Sequence, residues 1–235
     1  MCRRPASCGA SIRNGASRMS GIAGIVLAAG EGRRAGGVKA LLTMGGRTLL
    51  DRVVTAMREA GCENVIVVGG ADGARVEAEA SRLAAGFVLN EHWPKGQFSS
   101  LRAGAKALAA GSAGAPPHGA AALVALVDHP AVKTGTYRAL LDAHAGAPGS
   151  IVIPVCEDGR TGRAARGHPV VLPSEVVAEV AAAPDGVTLR DLIRRNAELV
   201  LEVPVDDAGV LKDIDTVADL KDVGGPESWT GERRH

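Results

Sequence analysis

The first chemistry lies in a run that opens on an apolar stretch and closes on a lysine: Leu27-Ala28-Ala29-Gly30-Glu31-Gly32-Arg33-Arg34-Ala35-Gly36-Gly37-Val38-Lys39. Successive backbone N–H groups of a glycine-rich loop can cradle an anion, and two cations, Arg34 and Lys39, can offset phosphate charge. The loop carries parts of two phosphate-binding motifs and completes neither. Gly30 and Gly32 have the spacing of a dinucleotide fingerprint, with Ala35 at its third position, but the second strand ends in Gly69-Gly70 instead of an acid. Gly32 and Gly37 have P-loop spacing, but Val38 follows where that motif needs lysine. What remains is a long loop able to wrap a triphosphate, with Leu27, Ala28, Ala29, Gly30 and Gly32 as candidate nucleotide contacts.

Other reactive groups follow along the chain. Gly96 lets backbone approach a planar base, and the hydroxyls of Ser99 and Ser100 at a helix start can bond a base or ribose, or simply cap the helix. Asp128 ends the most apolar run, which puts a carboxylate at the mouth of a site or at a helix cap, and Pro130 stops the chain continuing regularly. His129, between them, reads as a surface or packing residue. Asp213 and Asp215 stand two apart in a stretch read as extended, so they should face one side. Asp158–Arg166 carries Arg160, Arg163 and Arg166, which suits either an anion clamp or a solvated loop.

These residues need a frame. Short apolar runs at 21–30, 64–70, 87–90, 121–128, 150–155 and 168–172 read as strands. Helices are predicted around 49–57, over about 73–85, over 100–110 and over 133–145. Thr48 with Asp51, Thr188 with Asp191 and Thr216 with Asp219 are capped helix starts. Residues 111–119 read as a flexible loop. Strands apolar on both faces and separated by helices predict an α/β fold: a three-layer, Rossmann-like arrangement with a mostly parallel central sheet. In such sheets ligands bind beyond the carboxyl ends of the strands, and the candidate residues do follow the strands.

Composition narrows the class. The chain has 235 residues and 46% apolar content, with 27 Lys+Arg against 26 Asp+Glu. Near-neutral charge and only two Phe, two Trp and one Tyr argue against nucleic-acid binding. No apolar run approaches the roughly 20 residues of a membrane helix. Cys2, Cys8, Cys62 and Cys156 form no CxxC pair, so neither a zinc site nor a disulfide framework is expected. Residues 1–20 hold four arginines and no acid. They read as a disordered leader or a start assigned too early, with a transit peptide as the other possibility; the expected compartment is the cytoplasm. The domain is expected over 21–223, with a frayed tail over 224–235.

The loop spacing, LAAG-x-G-x-R-x-G-x-x-K here, resembles the MobA-like nucleoside-triphosphate transferases, and more closely the branch containing molybdenum-cofactor cytidylyltransferase. Asn90, Trp93, Gly96, Ser99, Ser100 and Leu101 are similar to that family's N-x-x-W-x-x-G-x-x-S-S-L segment. Asp128 and Pro130 match its D-x-P, and Asp213-Ile214-Asp215-Thr216 its D-I-D-T. Gly167-His168-Pro169 matches the branch's G-H-P. The resemblance covers about residues 22–222. Asp185–Arg190 resembles a later G-D-x-G-x-R segment with changes and is assigned nothing.

The resemblance implies attack of an acceptor phosphate on the α-phosphorus of CTP, with release of pyrophosphate. Lys39 and Arg34 would stabilise phosphate charge, and Gly96 and Ser100 would help hold the base, with main chain of Ala28 and Ala29. Asp128 would coordinate Mg²⁺, with Asp213 favoured over Asp215 to complete the set. Gly167 and His168 would lie near a molybdopterin-type acceptor. A molybdenum hydroxylase is a possible client. The alternatives are a guanylyltransferase, a sugar-phosphate nucleotidyltransferase, or a carrier of molybdenum cofactor. The LAAG opening, where guanylyl-specific relatives typically show LAGG, favours cytidine.

Overall fold

Period-two alternation decides which helix covers which side of the sheet. The computed structural model describes residues 21–32, 35–111, 120–216 and 218–219. The first strand, β1 (Ile22–Leu27), is buried along its whole length. Its Ile22 and Val26 point into one apolar cluster, while Ala23, Ile25 and Leu27 point into another. Alternate residues of a strand face opposite sides, so two clusters on one strand mean helices on both faces.

The remaining strands in chain order are β2 (Thr43–Met44), β3 (Arg47–Thr48), β4 (Val65–Gly69), β5 (Gly86–Leu89), β6 (Ala121–Leu126), β7 (Ile151–Asp158), β8 (Arg163–Arg166), β9 (Val170–Leu172) and β10 (Val200–Pro204). The helices are α1 (Leu49–Glu59), α2 (Gly73–Arg82), α3 (Gln97–Ala109), α4 (Thr134–Gly146), α5 (Ser174–Ala182) and α6 (Leu189–Arg195). The main sheet runs β10-β7-β9-β6-β1-β4-β5, with β8 paired to β7. β9 runs antiparallel to both neighbours and β8 antiparallel to β7; the other pairs are parallel. Residues of α1, α2 and α4 fill one cluster, and those of α3, α5 and α6 the other. The expected three-layer, mostly parallel architecture is the observed one.

Two of the predicted caps are formed. Thr48 accepts from the Asp51 amide at 3.0 Å at the start of α1. Thr188 and Asp191 make a reciprocal capping box at the start of α6. At Thr216 the hydroxyl accepts from the Asp219 amide at 3.3 Å, and the helix beyond lies outside the described residues. The arginine stretch is not a solvated loop. It forms the β7–β8 hairpin, because its residues pair in register from Val155 with Arg166 to Asp158 with Arg163. The leader 1–20, the tail 224–235 and most of the 111–119 loop lie outside the described residues.

The C-terminal segment is fastened to the sheet by one buried carboxylate. Asp207, 3% exposed, accepts from the Lys133 amide at 2.8 Å, the Thr136 hydroxyl at 2.6 Å and the Gly209 amide at 3.0 Å. It thereby joins the single turn of 3₁₀ helix at Ala208–Leu211 to the start of α4. Gly209 lies so close to the turn after β6 that a Cβ there would sit 2.6 Å from the Ala131 carbonyl oxygen. Asp207→Ala should leave three donors unsatisfied, two of them main-chain, and lower stability by on the order of 3 kcal/mol. Urea unfolding of the two proteins measures it, and a loss below about 0.5 kcal/mol would refute the tether.

Candidate functional site

The loop after β1 turns back on itself before it reaches Lys39. Gly32, at φ +62°, sits 2.0 Å from the Gly37 carbonyl oxygen if a Cβ is added, so no side chain fits there. Its own carbonyl accepts from the amides of Ala35 at 2.9 Å and Gly37 at 3.3 Å. A short 3₁₀ turn at Lys39–Leu41 then carries Lys39 to the mouth of the sheet. Arg34 lies outside the described residues.

There Lys39 lies between two carboxylates brought by distant parts of the chain. Its Nζ donates to Asp128 Oδ2 at 3.0 Å and to Asp215 Oδ1 at 2.7 Å. Asp128 follows β6, as its place in the sequence implied. Asp215 arrives because the Ile214 amide donates to the Asp128 carbonyl oxygen at 2.8 Å and the Ile214 side chain is fully buried. Burial works against the Lys39 ammonium, but the bonds to Asp215 and Asp128 and their charges outweigh it, so its pKa lies above the ordinary lysine value. Lys39 therefore stays protonated between the two carboxylates.

This geometry reverses the preference between the two C-terminal acids. Asp213 is exposed, whereas Asp215 meets Lys39. The expectation that they share a side fails because the segment is not a strand. It leaves a 3₁₀ turn, buries Ile214, and bends at once into a cap in which the Asp215 amide donates to Asp219 Oδ2 at 3.0 Å.

Beside the cluster opens a cleft of about 900 Å³. Leu27, Leu126, Ile153, Val170 and Ile193 give it an apolar floor, and Gly96, Ser99, Gly167 and His168 line it as well. Ser100 is buried and accepts from Asn90 Nδ2 at 3.0 Å. Asn90 Nδ2 also reaches Ser99 Oγ at 2.9 Å, and Ser99 lies 2.8 Å from the Gly96 carbonyl oxygen. These hydroxyls therefore order the Gly96 turn, with Ser99 and not Ser100 on the cleft wall. Ala28 and Ala29 also depart from expectation. The Ala28 amide donates to Val68 and the Ala29 carbonyl accepts from Ala71, because parallel pairing with β4 extends past the strand end. Neither residue lines the cleft. The Ala29 methyl packs with Trp93 against Gly70, where a Cβ would lie 2.7 Å from Trp93 and 2.8 Å from Ala29. Gly30 is exposed at the start of the loop.

His168 joins cleft to cluster. Its ring meets His129 edge-on at 5.7 Å, and His129, buried, has Nδ1 3.3 Å from the Gly209 carbonyl oxygen. His129 is thus a packing residue. Gly167 lets the chain pass the C-terminal segment, since a Cβ there would lie 2.3 Å from the Val210 carbonyl oxygen. Burial pushes the His168 pKa down to about 4, helped by His129 and opposed by the Asp128 charge. A neutral imidazole at neutral pH can hydrogen-bond a ligand but supplies no positive charge. Sequence reasoning missed the role of 185–190, whose residues form one side of the cleft. The Thr188–Asp191 cap was the available signal.

The donor set is compatible with a hard divalent cation. Two carboxylates already converge on one ammonium, so positive charge is favoured at that point. Among the described residues there is no group of three or more His, Cys, Asp or Glu, so other ligands would be phosphate oxygens and water.

Comparison with known proteins agrees with this frame. The family described as MobA-like NTP transferase domain matches residues 24–200. Nicotine blue oxidoreductase of Paenarthrobacter nicotinovorans is 35% identical over 202 residues, or 85% of this chain and 94% of that protein. A protein of Opitutus terrae named "Probable molybdenum cofactor guanylyltransferase" is 36% identical over 133 residues, 57% of this chain and 60% of its own. Rv0371C of Mycobacterium tuberculosis H37Rv, solved in complex with manganese, superposes with a TM-score of 0.63 at 26% identity, covering 87% of this chain and 98% of that one.

A lowered histidine pKa has a definite sign. The unfolded chain takes up a proton near pH 6.5 that folded His168 refuses until about pH 4, so stability is lost as pH falls through that window. Thermal unfolding from neutral to acid pH should show the wild type losing more than His168→Asn. Parallel profiles would show that His168 is not held neutral.

Proposed function

Because the chain belongs to the MobA-like NTP transferase domain family, we propose that it moves CMP from CTP to the phosphate of a molybdopterin-type acceptor, releasing pyrophosphate. The observation that carries this reading is Lys39 held between Asp128 and Asp215 beside a glycine loop. An acceptor phosphate is already ionised near neutral pH, so the reaction needs positioning and charge stabilisation and no strong base. The glycine loop, with Arg34, takes the triphosphate. Lys39 stabilises charge growing on the α-phosphate and on departing pyrophosphate. Asp128 and Asp215 would hold Mg²⁺, which when bound supplies positive charge against the phosphates. With these carboxylates engaged by a cation, Lys39 would be available to phosphate. The manganese complex of the mycobacterial relative and the molybdenum-cofactor name of the Opitutus protein support the metal and the acceptor class.

The base is read at the Gly96 turn, where Gly96 and Ser99 line the cleft. A second reading has its own support. The relative named an oxidoreductase shares most of this chain's length, and Gly30, Gly32 and Ala35 keep dinucleotide spacing. It predicts binding of a nicotinamide dinucleotide in place of CTP.

Incubation with each nucleoside triphosphate, Mg²⁺ and molybdopterin should release pyrophosphate with CTP preferred over GTP by at least about tenfold in kcat/KM, the range that shape and one or two hydrogen bonds supply. A preference for GTP would refute the cytidylyl assignment. Tight binding of NADH or NADPH with no pyrophosphate from any triphosphate would favour the second reading.

Asp128→Asn should keep the fold and cut turnover by about 100-fold or more, since a neutral amide is a poor ligand for a hard cation. Near wild-type release from the folded variant would sink the assignment of Asp128. Lys39→Ala should lower kcat more than it weakens CTP binding. Equal losses would make Lys39 a ground-state contact.

A further inference from the structure

One charged cluster in the cleft has no part in the transfer chemistry. Asp185 stands in the turn between α5 and α6, followed by Gly186 at φ +86°. Its Oδ2 accepts from Lys95 Nζ at 2.6 Å, and its Oδ1 accepts from Arg102 Nη2. Arg102 also donates through Nη1 to the Ala183 carbonyl oxygen at 2.9 Å. The two cations come from the Gly96 turn and from α3, so the contacts clasp the 183–188 turn across the cleft.

The balance of charge around this clasp is uneven. Among the described residues lining the cleft, Asp185 is the single acid, against Lys95, Arg102, Arg166 and Arg190. Arg166 meets Glu202, which lies outside the cleft. Arg102 is mostly buried, with its side chain 15% exposed, while Asp185 is 56% exposed. A buried, fixed guanidinium beside a flexible ammonium is the arrangement that binds a phosphate or carboxylate through two oxygens. Asp185 satisfies it with an exposed carboxylate on a turn, and exposed ion pairs of this kind are weak. The two cations hold the Asp185 carboxyl well below the ordinary range, at about 2, so it is charged at every relevant pH.

We propose that Lys95 and Arg102 form an anion subsite for a phosphate group of the substrate, and that Asp185 fills it as an internal counter-ion which the incoming phosphate displaces. The inference rests on the cleft being the substrate site of the transferase reading, but not on which triphosphate is used. Displacement unclasps the 183–188 turn from α3. Binding at the subsite therefore reports its own signature, independent of turnover: the turn loosens as the anion arrives.

The phosphate belongs either to the acceptor or to the nucleotide, so two probes are used without turnover: phenyl phosphate, a simple monoester, and CTP without metal. Calorimetry at low salt should show Asp185→Asn binding one of them about tenfold more tightly than wild type, because the competing charge is gone. Arg102→Gln should bind that same probe more weakly than wild type. Tightening for phenyl phosphate assigns the subsite to the acceptor, and tightening for CTP to the nucleotide. In the wild type, hydrogen exchange at amides 186–189 should quicken when the tightened probe is added. Equal or weaker binding of both probes by a folded Asp185→Asn protein would overturn the proposal. So would exchange that slows on binding. Lack of pyrophosphate release with any triphosphate would count against the transferase reading alone, since none of these measurements needs turnover.

Discussion

The rest of the site is arranged around a half-buried ammonium that must stay charged. Lys39 is taken largely out of water, and an ammonium there costs free energy unless anions surround it. Two carboxylates meet that demand, one from the end of β6 and one 176 residues away in sequence from Lys39. Each must be carried to the same point. Asp128 needs only the strand to end where it does. Asp215 needs the whole 207–215 segment to be pinned: Asp207 on the start of α4, Gly209 against Ala131, the Ile214 amide on the Asp128 carbonyl. The glycines at 167 and 209 follow from the same requirement, because both admit the segment at distances that no Cβ tolerates.

The cluster and the cleft do different physical work. The cluster is a compact knot of opposite charges, an ammonium held between two carboxylates. The cleft has an apolar floor with cations at its rim and, among the described residues, a single acid, a place that draws a flat or apolar body bearing an anion. They meet at His168, which burial keeps neutral, so the junction adds no charge to either side. A substrate with phosphates at one end and an apolar ring system at the other would lie across both without burying an unpaired charge.

Much of this was legible in the sequence because it is local. Strands buried on both faces read as unbroken apolar runs, and caps at Thr48 and Thr188 depend on residues three apart. Asp128 was legible because a carboxylate that ends a buried strand has few places to point. What was not legible depends on contacts between distant segments. Asp213 and Asp215 are equivalent by spacing, and only the burial of Ile214 and the turn before it decide which one faces Lys39. The main-chain groups of Ala28 and Ala29 looked available, but continued pairing with the segment after β4 takes the Ala28 amide and the Ala29 carbonyl. Ser100 looked like a base contact, but Asn90 holds it. Asp185 was passed over because its meaning lies in two cations about ninety positions earlier in the chain.

A fold of this kind does not fix an activity, and a relative of similar length that is named an oxidoreductase makes the point within one family. What distinguishes the two activities is the cost of the charged residues and the ligand that would offset it. A dinucleotide needs a turn of backbone N–H groups and a polar partner for its ribose, and β4 ends in glycine where that partner usually stands. It does not need an ammonium locked between two carboxylates at the next strand end. The proposed phosphate transfer would use one: the carboxylates suit a hard cation, and the ammonium follows the glycine loop closely in the chain. The trio is costly as a structural element, since an apolar residue at position 39 would close the same gap between β6 and the C-terminal segment without dehydrating three charges. Its presence favours a site built to handle phosphates over one that merely shares the frame.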